Sequence, residues 1–139
     1  FDETKDGMDI SICSIDWKTN ILKFAGAYNH LYLFRNGDLQ VIKASNMPVG
    51  LSQKPMKPFE SNTIEMQKDD MVYMFTDGYP DQFGGPENKK MKICNFKEIL
   101  TNVHHEDISF QKNLLSQAFY DWKGSREQID DVLVLGFRY

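Results

Sequence analysis

Met71-Val72-Tyr73-Met74-Phe75-Thr76-Asp77-Gly78 and, further along, Asp130-Asp131-Val132-Leu133-Val134-Leu135 decide how this chain folds. The first is an apolar run that ends on an Asp-Gly turn signal, and the second is a pair of aspartates that opens another apolar run. Both read as strands. Strands that lie adjacent and antiparallel put the end of one beside the start of the other, so Asp77 and Asp130 would converge on one rim of a sheet. Carboxylates brought together repel, and such a pair takes a proton or a cation between them. The leading expectation is therefore a site for a hard metal ion. Each stretch also has a plainer reading, Asp-Gly as a common turn and Asp130-Asp131 as polar residues at a strand end. Their joint placement at two strand ends favours the metal.

The bulk composition sets the frame around that site. The 139 residues call for one domain, and 41% hydrophobic content is enough for a real core. Charged residues make up 26%, with both signs spread along the chain, and the net charge is −4. The lack of a basic patch argues against nucleic acid as a partner. No apolar run approaches the roughly 18 residues of a membrane span. The chain opens on Phe1, not Met, and is expected to be a piece of something longer; a cytoplasmic location is expected, with any membrane anchor upstream of Phe1. The cysteines, Cys13 and Cys94, lack metal-type spacing, and Cys13 reads as a small buried hydrophobe in a strand.

From the N-terminus, Met8 to Asp16 alternates as a strand, with Met8, Ile10 and Ile12 on one side and Asp9, Ser11 and Cys13 on the other. Ile21 to Ala27 returns as a hairpin. Leu31 to Arg35 and Leu39 to Lys43 flank Asn36-Gly37, a strong hairpin turn. Residues 44–58 hold three prolines and read as a surface loop. Asn62 to Gln67 alternates weakly, and Lys68-Asp69-Asp70 reads as a solvated turn. Tyr79 to Asn88, with Pro80, Gly84, Gly85 and Pro86, reads as a loop of mobile character. Helices are expected over Asn95–Val103, capped by Asn95 with Phe96, Ile99 and Leu100 inward, and over Ser109–Lys123, with Phe110, Leu114, Ala118 and Trp122 inward and Gly124 ending it. Strands in runs with helices clustered late give an α+β domain built on antiparallel sheet.

Other chemistry finds little support. His104-His105 lies between the two expected helices as an exposed linker, and His30 reads as structural or solvated. No Gly-x-Ser-x-Gly elbow, P-loop or dinucleotide fingerprint occurs. Met71, Met74, Phe75, Phe110 and Phe119 read as core.

Taken in order, several motifs resemble a known family. They are Asp6-Gly7-Met8-Asp9-Ile10, Phe24-Ala25-Gly26-Ala27 leading into Leu31-Tyr32-Leu33-Phe34-Arg35-Asn36-Gly37, Met47-Pro48-Val49-Gly50, Thr76-Asp77-Gly78-Tyr79-Pro80-Asp81-Gln82-Phe83-Gly84-Gly85, and Asp130-Asp131-Val132-Leu133. The set is similar to the phosphatase domain of stage II sporulation protein E, the bacterial branch of the metal-dependent, protein phosphatase 2C-like serine/threonine phosphatases. The resemblance runs over nearly the whole chain.

It implies an αββα four-layer architecture, an antiparallel β-sandwich with helices outside. It implies hydrolysis of phosphoserine or phosphothreonine in a protein, with two Mn²⁺ or Mg²⁺ ions held by aspartates in the intact domain. Asp77 and Asp130 match ligand positions, and Gly78 and Asp131 are their neighbours. Tyr79, Asp81, Gln82, Gly84 and Gly85 would shape substrate access. It also implies bacterial signalling partners: an anti-anti-sigma-like phosphoprotein as substrate, and fused upstream sensor or receiver modules of the two-component type. The departures matter equally. Two upstream acidic motifs of the family have no match before Asp6, Asp6-Gly7 reads as a turn, and Tyr28 stands where eukaryotic members carry a further Asp. Residues 1–139 are thus expected to be the C-terminal part of a phosphatase catalytic domain from a larger signalling protein. Such a fragment would bind metal weakly or not at all and have little or no activity, and its uncovered sheet edge would invite a homodimer. The competing readings are a non-catalytic signalling module that retains the fold, and an unrelated α+β ligand-binding domain.

Overall fold

The computed structural model describes residues 7–50 and 57–139. Asp6 and most of the proline-rich stretch after Gly50 lie outside the described residues. Two antiparallel sheets carry the architecture. The first has three strands in the order β2-β3-β7, with β2 at Ile10–Asp16, β3 at Ile21–Ala27 and β7 at Asn62–Glu65. The second has four in the order β11-β8-β4-β5, with β4 at Leu31–Arg35, β5 at Asp38–Ile42, β8 at Met71–Phe75 and β11 at Val134–Arg138. Two short pairs complete the strands: β1 (Gly7–Met8) with β6 (Val49–Gly50), and β9 (Phe83–Gly84) with β10 (Lys89–Lys90). The helices are α1 (Gly78–Asp81), α2 (Lys92–Val103) and α3 (Ile108–Lys123).

Local chemistry explains the hairpins. Between β4 and β5, Asn36 and Gly37 both have positive φ, 53° and 88°, as a tight two-residue turn matched to strand twist requires. Between β2 and β3, the Asp16 side chain accepts a bond from the Lys18 N–H at 2.9 Å and Asn20 takes φ 60°. The register then decides which faces are buried. Cys13 lies opposite Phe24 and Ile15 opposite Leu22, and directly opposed residues share a face. Phe24 and Leu22 are buried, so Cys13 and Ile15 pack inward with them and burial raises the Cys13 thiol pKa. Ile12, one step out of phase, is 58% exposed. The alternation of Met8, Ile10 and Ile12 is thus real but marks mainly the outer side, because period two forbids Ile12 from sharing a face with Cys13.

Alternation along the central strands builds two cores. Leu31, Leu33 and Val72 point between the sheets, onto Leu22, Phe24 and Met66. Tyr32, Phe34, Met71 and Tyr73 point the other way, onto Phe96, Leu100, Leu115 and Phe119 of α2 and α3. The described residues therefore supply three stacked layers, sheet on sheet on helices. No helix among the described residues is long and apolar enough to span a bilayer.

Three sequence expectations are corrected. Asp70 is not a solvated turn residue: it is 1% exposed and takes a bidentate ion pair from Arg35, Nε to Oδ1 at 2.9 Å and Nη2 to Oδ2 at 2.6 Å. An acidic pair at a turn conceals this because the partner lies 35 residues away. Helix α2 begins before Asn95, whose side chain instead donates to the Met91 carbonyl at 2.8 Å. In α3 the cap is Asp107, accepting from Ser109 N–H at 2.9 Å, and the buried positions are Gln111, Leu115 and Phe119 while Phe110 is exposed. Gln111 wins the inward place because its amide is satisfied there: it accepts from the Tyr73 hydroxyl and donates to the Glu106 carbonyl at 2.8 Å. Gly124 ends α3 with φ 57°, as expected.

Candidate metal centre

Strands β8 and β11 are adjacent and antiparallel, with Val134 opposite Phe75 and Arg138 opposite Met71. The ladder continues one step beyond the strand ends, where the Thr76 N–H donates to the Leu133 carbonyl at 3.1 Å. The Thr76 hydroxyl then stitches the rim: it donates to the Asp131 carbonyl at 2.8 Å and accepts from the Leu133 N–H at 3.0 Å. Asp77 and the Asp130-Asp131 pair therefore end up at the same edge of the sandwich.

Gly78 shows how tight the approach is. A Cβ built there would lie 2.3 Å from the Asp131 carbonyl oxygen and 3.4 Å from the Asp130 Cβ. Only glycine lets the chain turn from β8 into α1 beneath this segment. Asp77 occupies the position before α1, yet its side chain makes no capping bond to the helix. Asp77 is exposed at the rim, but neighbouring protein partly desolvates its carboxylate, and its pKa is raised first by that desolvation and then by the negative charges of Asp130, Asp81 and Asp9. Among the described residues, ion pairs join Arg35 with Asp70, Lys89 with Glu87, Lys90 with Asp81 and His105 with Glu106; none takes in Asp77 or Asp130. Among the described residues, the Asp130 carboxylate accepts only the Asp131 N–H, at 2.7 Å, and its backbone carbonyl accepts from Gln128 at 2.9 Å.

Uncompensated carboxylates of this kind suit Mg²⁺ or Mn²⁺, which prefer oxygen ligands and keep several waters. The donor set is partial, however. No three His, Cys, Asp or Glu side chains converge as a metal cage among the described residues. The histidines stand apart from the rim. His30 accepts from the Ala44 N–H at 3.1 Å, with its pKa lowered by burial and by Lys43 and Lys97. His104 stacks on Phe34, ring centroids 4.3 Å apart.

The stretch from Tyr79 to Asn88 is more ordered than its glycines and prolines suggest. Tyr79, Gln82 and Gly84 are buried, whereas Asp81 is half-buried and pairs with Lys90 at 2.7 Å, and Gly85 is half-buried. Tyr79 packs on Phe96 and Phe119 and donates its hydroxyl to the Leu115 carbonyl at 2.7 Å. Sequence reasoning gave no role to Asp9 or Thr76. Asp9, at the break between β1 and β2, adds to the charge felt by Asp77; its place in an alternating polar series hid it. Tyr28 has φ 60° and is exposed.

An antiparallel β-sandwich with α-helices on one outer face makes this an α+β domain, with an acidic rim at one edge of its sheets. Residues 3–139 match the family model of stage II sporulation protein E (SpoIIE), and the chain belongs to that family. Solved structures agree on the fold. The SiaA-PP2C domain of Pseudomonas aeruginosa superposes with a TM-score of 0.84 at 23% identity, covering 94% of this chain and 51% of that one. The phosphatase domain of SpoIIE from Bacillus subtilis, presoaked with Mn, gives 0.68 at 20% identity, covering 94% and 55%. RsbX in complex with magnesium gives 0.63 at 16%, covering 96% and 57%. The chain thus spans about half the length of these structures. No curated protein matches it significantly.

Proposed function

We propose that this chain is the C-terminal part of a metal-dependent protein phosphatase domain that hydrolyses phosphoserine or phosphothreonine in a bacterial signalling protein. Asp77 and Asp130 would hold Mn²⁺ or Mg²⁺, with Gly78 letting the two strand ends meet and Asp131 fixing the rim through its carbonyl. The observation that carries this reading is the convergence of Asp77 and Asp130 at one rim, without a cationic partner among the described residues. When bound, a pair of such ions supplies an activated water and neutralises phosphoryl charge. The chain's own residues supply the rest: Asp77 and Asp130 provide negative charge at a fixed spacing, and Thr76 locks that spacing by bonding both Asp131 and Leu133. No nucleophilic side chain is needed.

The partial donor set favours a second statement. This stretch alone would bind metal weakly and turn over little substrate, with further ligands coming from elsewhere in the domain. The test is calorimetric titration of Mn²⁺ into the chain and into Asp77→Asn, paired with release of phosphate from a phosphoserine protein. Weak saturable uptake that Asp77→Asn abolishes supports the reading. Uptake unaffected by the substitution counts against the metal site, and turnover by the chain alone counts against its being incomplete.

A further inference from the structure

Asp130 sits on an irregular stretch, residues 125–133, between the end of α3 and the start of β11. Its position must come from side chains that reach this stretch. Downstream, Thr76 holds the Asp131 carbonyl. Upstream, Lys123 donates to the Arg126 carbonyl at 2.7 Å, the Arg126 guanidinium bonds Asn88, and a third contact comes from Gln82. That side chain is fully buried, and its Nε2 donates to the Glu127 carbonyl at 2.9 Å and to the Phe83 carbonyl at 3.0 Å. Gln82 is itself fixed, because its carbonyl accepts from the Met91 N–H at 3.0 Å and from the Trp122 indole at 2.9 Å. The Gly85 N–H donates to the Trp122 carbonyl at 2.8 Å.

The other half of the amide decides between packing and positioning. Its Oε1 is buried with no hydrogen-bond partner among the described residues. A buried acceptor left unpaired is unfavourable. Methionine would fill the same space without that cost, so packing alone does not account for an amide here. The donor does, together with the carbonyl it holds three residues before Asp130. The same short segment carries Asp77 at the head of α1 and Gln82 just past its end. One rigid piece thereby touches both sides of the rim.

We propose that Gln82 is a positioning residue: its amide fastens the segment bearing Asp130 to the segment bearing Asp77 and so sets the spacing of the two carboxylates. Its consequence for metal rests on the reading above, whereas its consequence for the segment does not.

The test is Gln82→Met, followed by amide hydrogen exchange and by Mn²⁺ titration. Of the two hydrogen bonds that this substitution removes, the one to the Glu127 carbonyl holds the stretch, and its loss corresponds to about a five- to tenfold change in a local opening equilibrium. Exchange at Asp131 and Leu133, whose N–H groups donate hydrogen bonds in this stretch, should quicken by about that factor, with the amides of β4 and β8 unchanged and the melting temperature moved by less than about 5 °C; Mn²⁺ uptake should weaken in parallel. Uniform quickening throughout the chain, or no change at Asp131 and Leu133, overturns the proposal. If wild type takes up no Mn²⁺ but the local quickening appears, the metal reading fails and the fastening by Gln82 stands. Should the variant not fold, the wild type decides: the Gln82 Nε2 protons should exchange far more slowly than those of exposed Gln40, and equal rates refute the bond.

Discussion

Gly78→Ala probes the rim at its tightest point. The added Cβ would fall 2.3 Å from the Asp131 oxygen and 3.0 Å from its carbonyl carbon, both backbone atoms. Neither can swing aside as a side-chain tip could, so the 130–133 segment must move. Overpacking of this kind costs about 1–3 kcal/mol. The displacement also breaks the Thr76 hydroxyl bond to Asp131, adding about 1 kcal/mol. The expected loss is about 2–4 kcal/mol, or roughly 6–12 °C in melting temperature for a chain of this size. Urea unfolding followed by circular dichroism measures it. Gly37→Ala is the control: nothing lies within 4 Å of its Cβ, but its φ of 88° is unfavourable for alanine, so it should cost only about 1 kcal/mol. If Gly78→Ala costs no more than the control, the rim is not packed as described and the reasoning fails.

Asp70→Asn removes the carboxylate from the Arg35 pair; because Arg35 keeps 20% of its side chain in water, the expected loss is about 2–3 kcal/mol, below the value for a fully buried pair, read by urea titration. Tyr79→Ala should cost about 3–5 kcal/mol, since the ring is 2% exposed between Phe96 and Phe119; a Gly-Ser replacement of residues 79–88 should accordingly unfold the chain and not merely alter its specificity, and a near-native melt of either would refute this. Asp77 gives a pH signature. Partial desolvation and the charge of Asp130 raise its folded pKa, so its contribution to stability is present below the unfolded value, about 4, and is lost as pH rises through the folded value. In chelator, Asp77→Asn should therefore melt higher than wild type at neutral pH, with the difference vanishing in acid; an equal or lower melt at neutral pH contradicts it.

Much of this structure was legible in residue order because its cues are local. Asn36-Gly37 announces a turn, and the apolar run ending at Phe75 announces a central strand. An Asp-Gly after one strand and an Asp-Asp before another put both acids on one rim provided the two strands pair, and β8 and β11 do pair. What escaped depended on partners distant in the chain. Asp70 looks like any turn acid until Arg35 arrives beside it. Gln111 displaces Phe110 from the inward stripe only because Tyr73 and the Glu106 carbonyl satisfy its amide. Pro80, Gly84 and Gly85 imply an open loop, yet Tyr79 and Gln82 tie that stretch to α3 and to the Glu127 carbonyl. The phase of β2 needed the register with β3, which a lone alternating strand cannot give.

Paramagnetic broadening by Mn²⁺ addresses the central claim most directly. Added in small amounts to the isotopically labelled chain, the ion should broaden the amide resonances of residues 77–78 and 130–131 together, and Asp77→Asn should abolish both effects at once. Broadening confined to one of the two stretches, or centred elsewhere on the surface, would contradict a shared site.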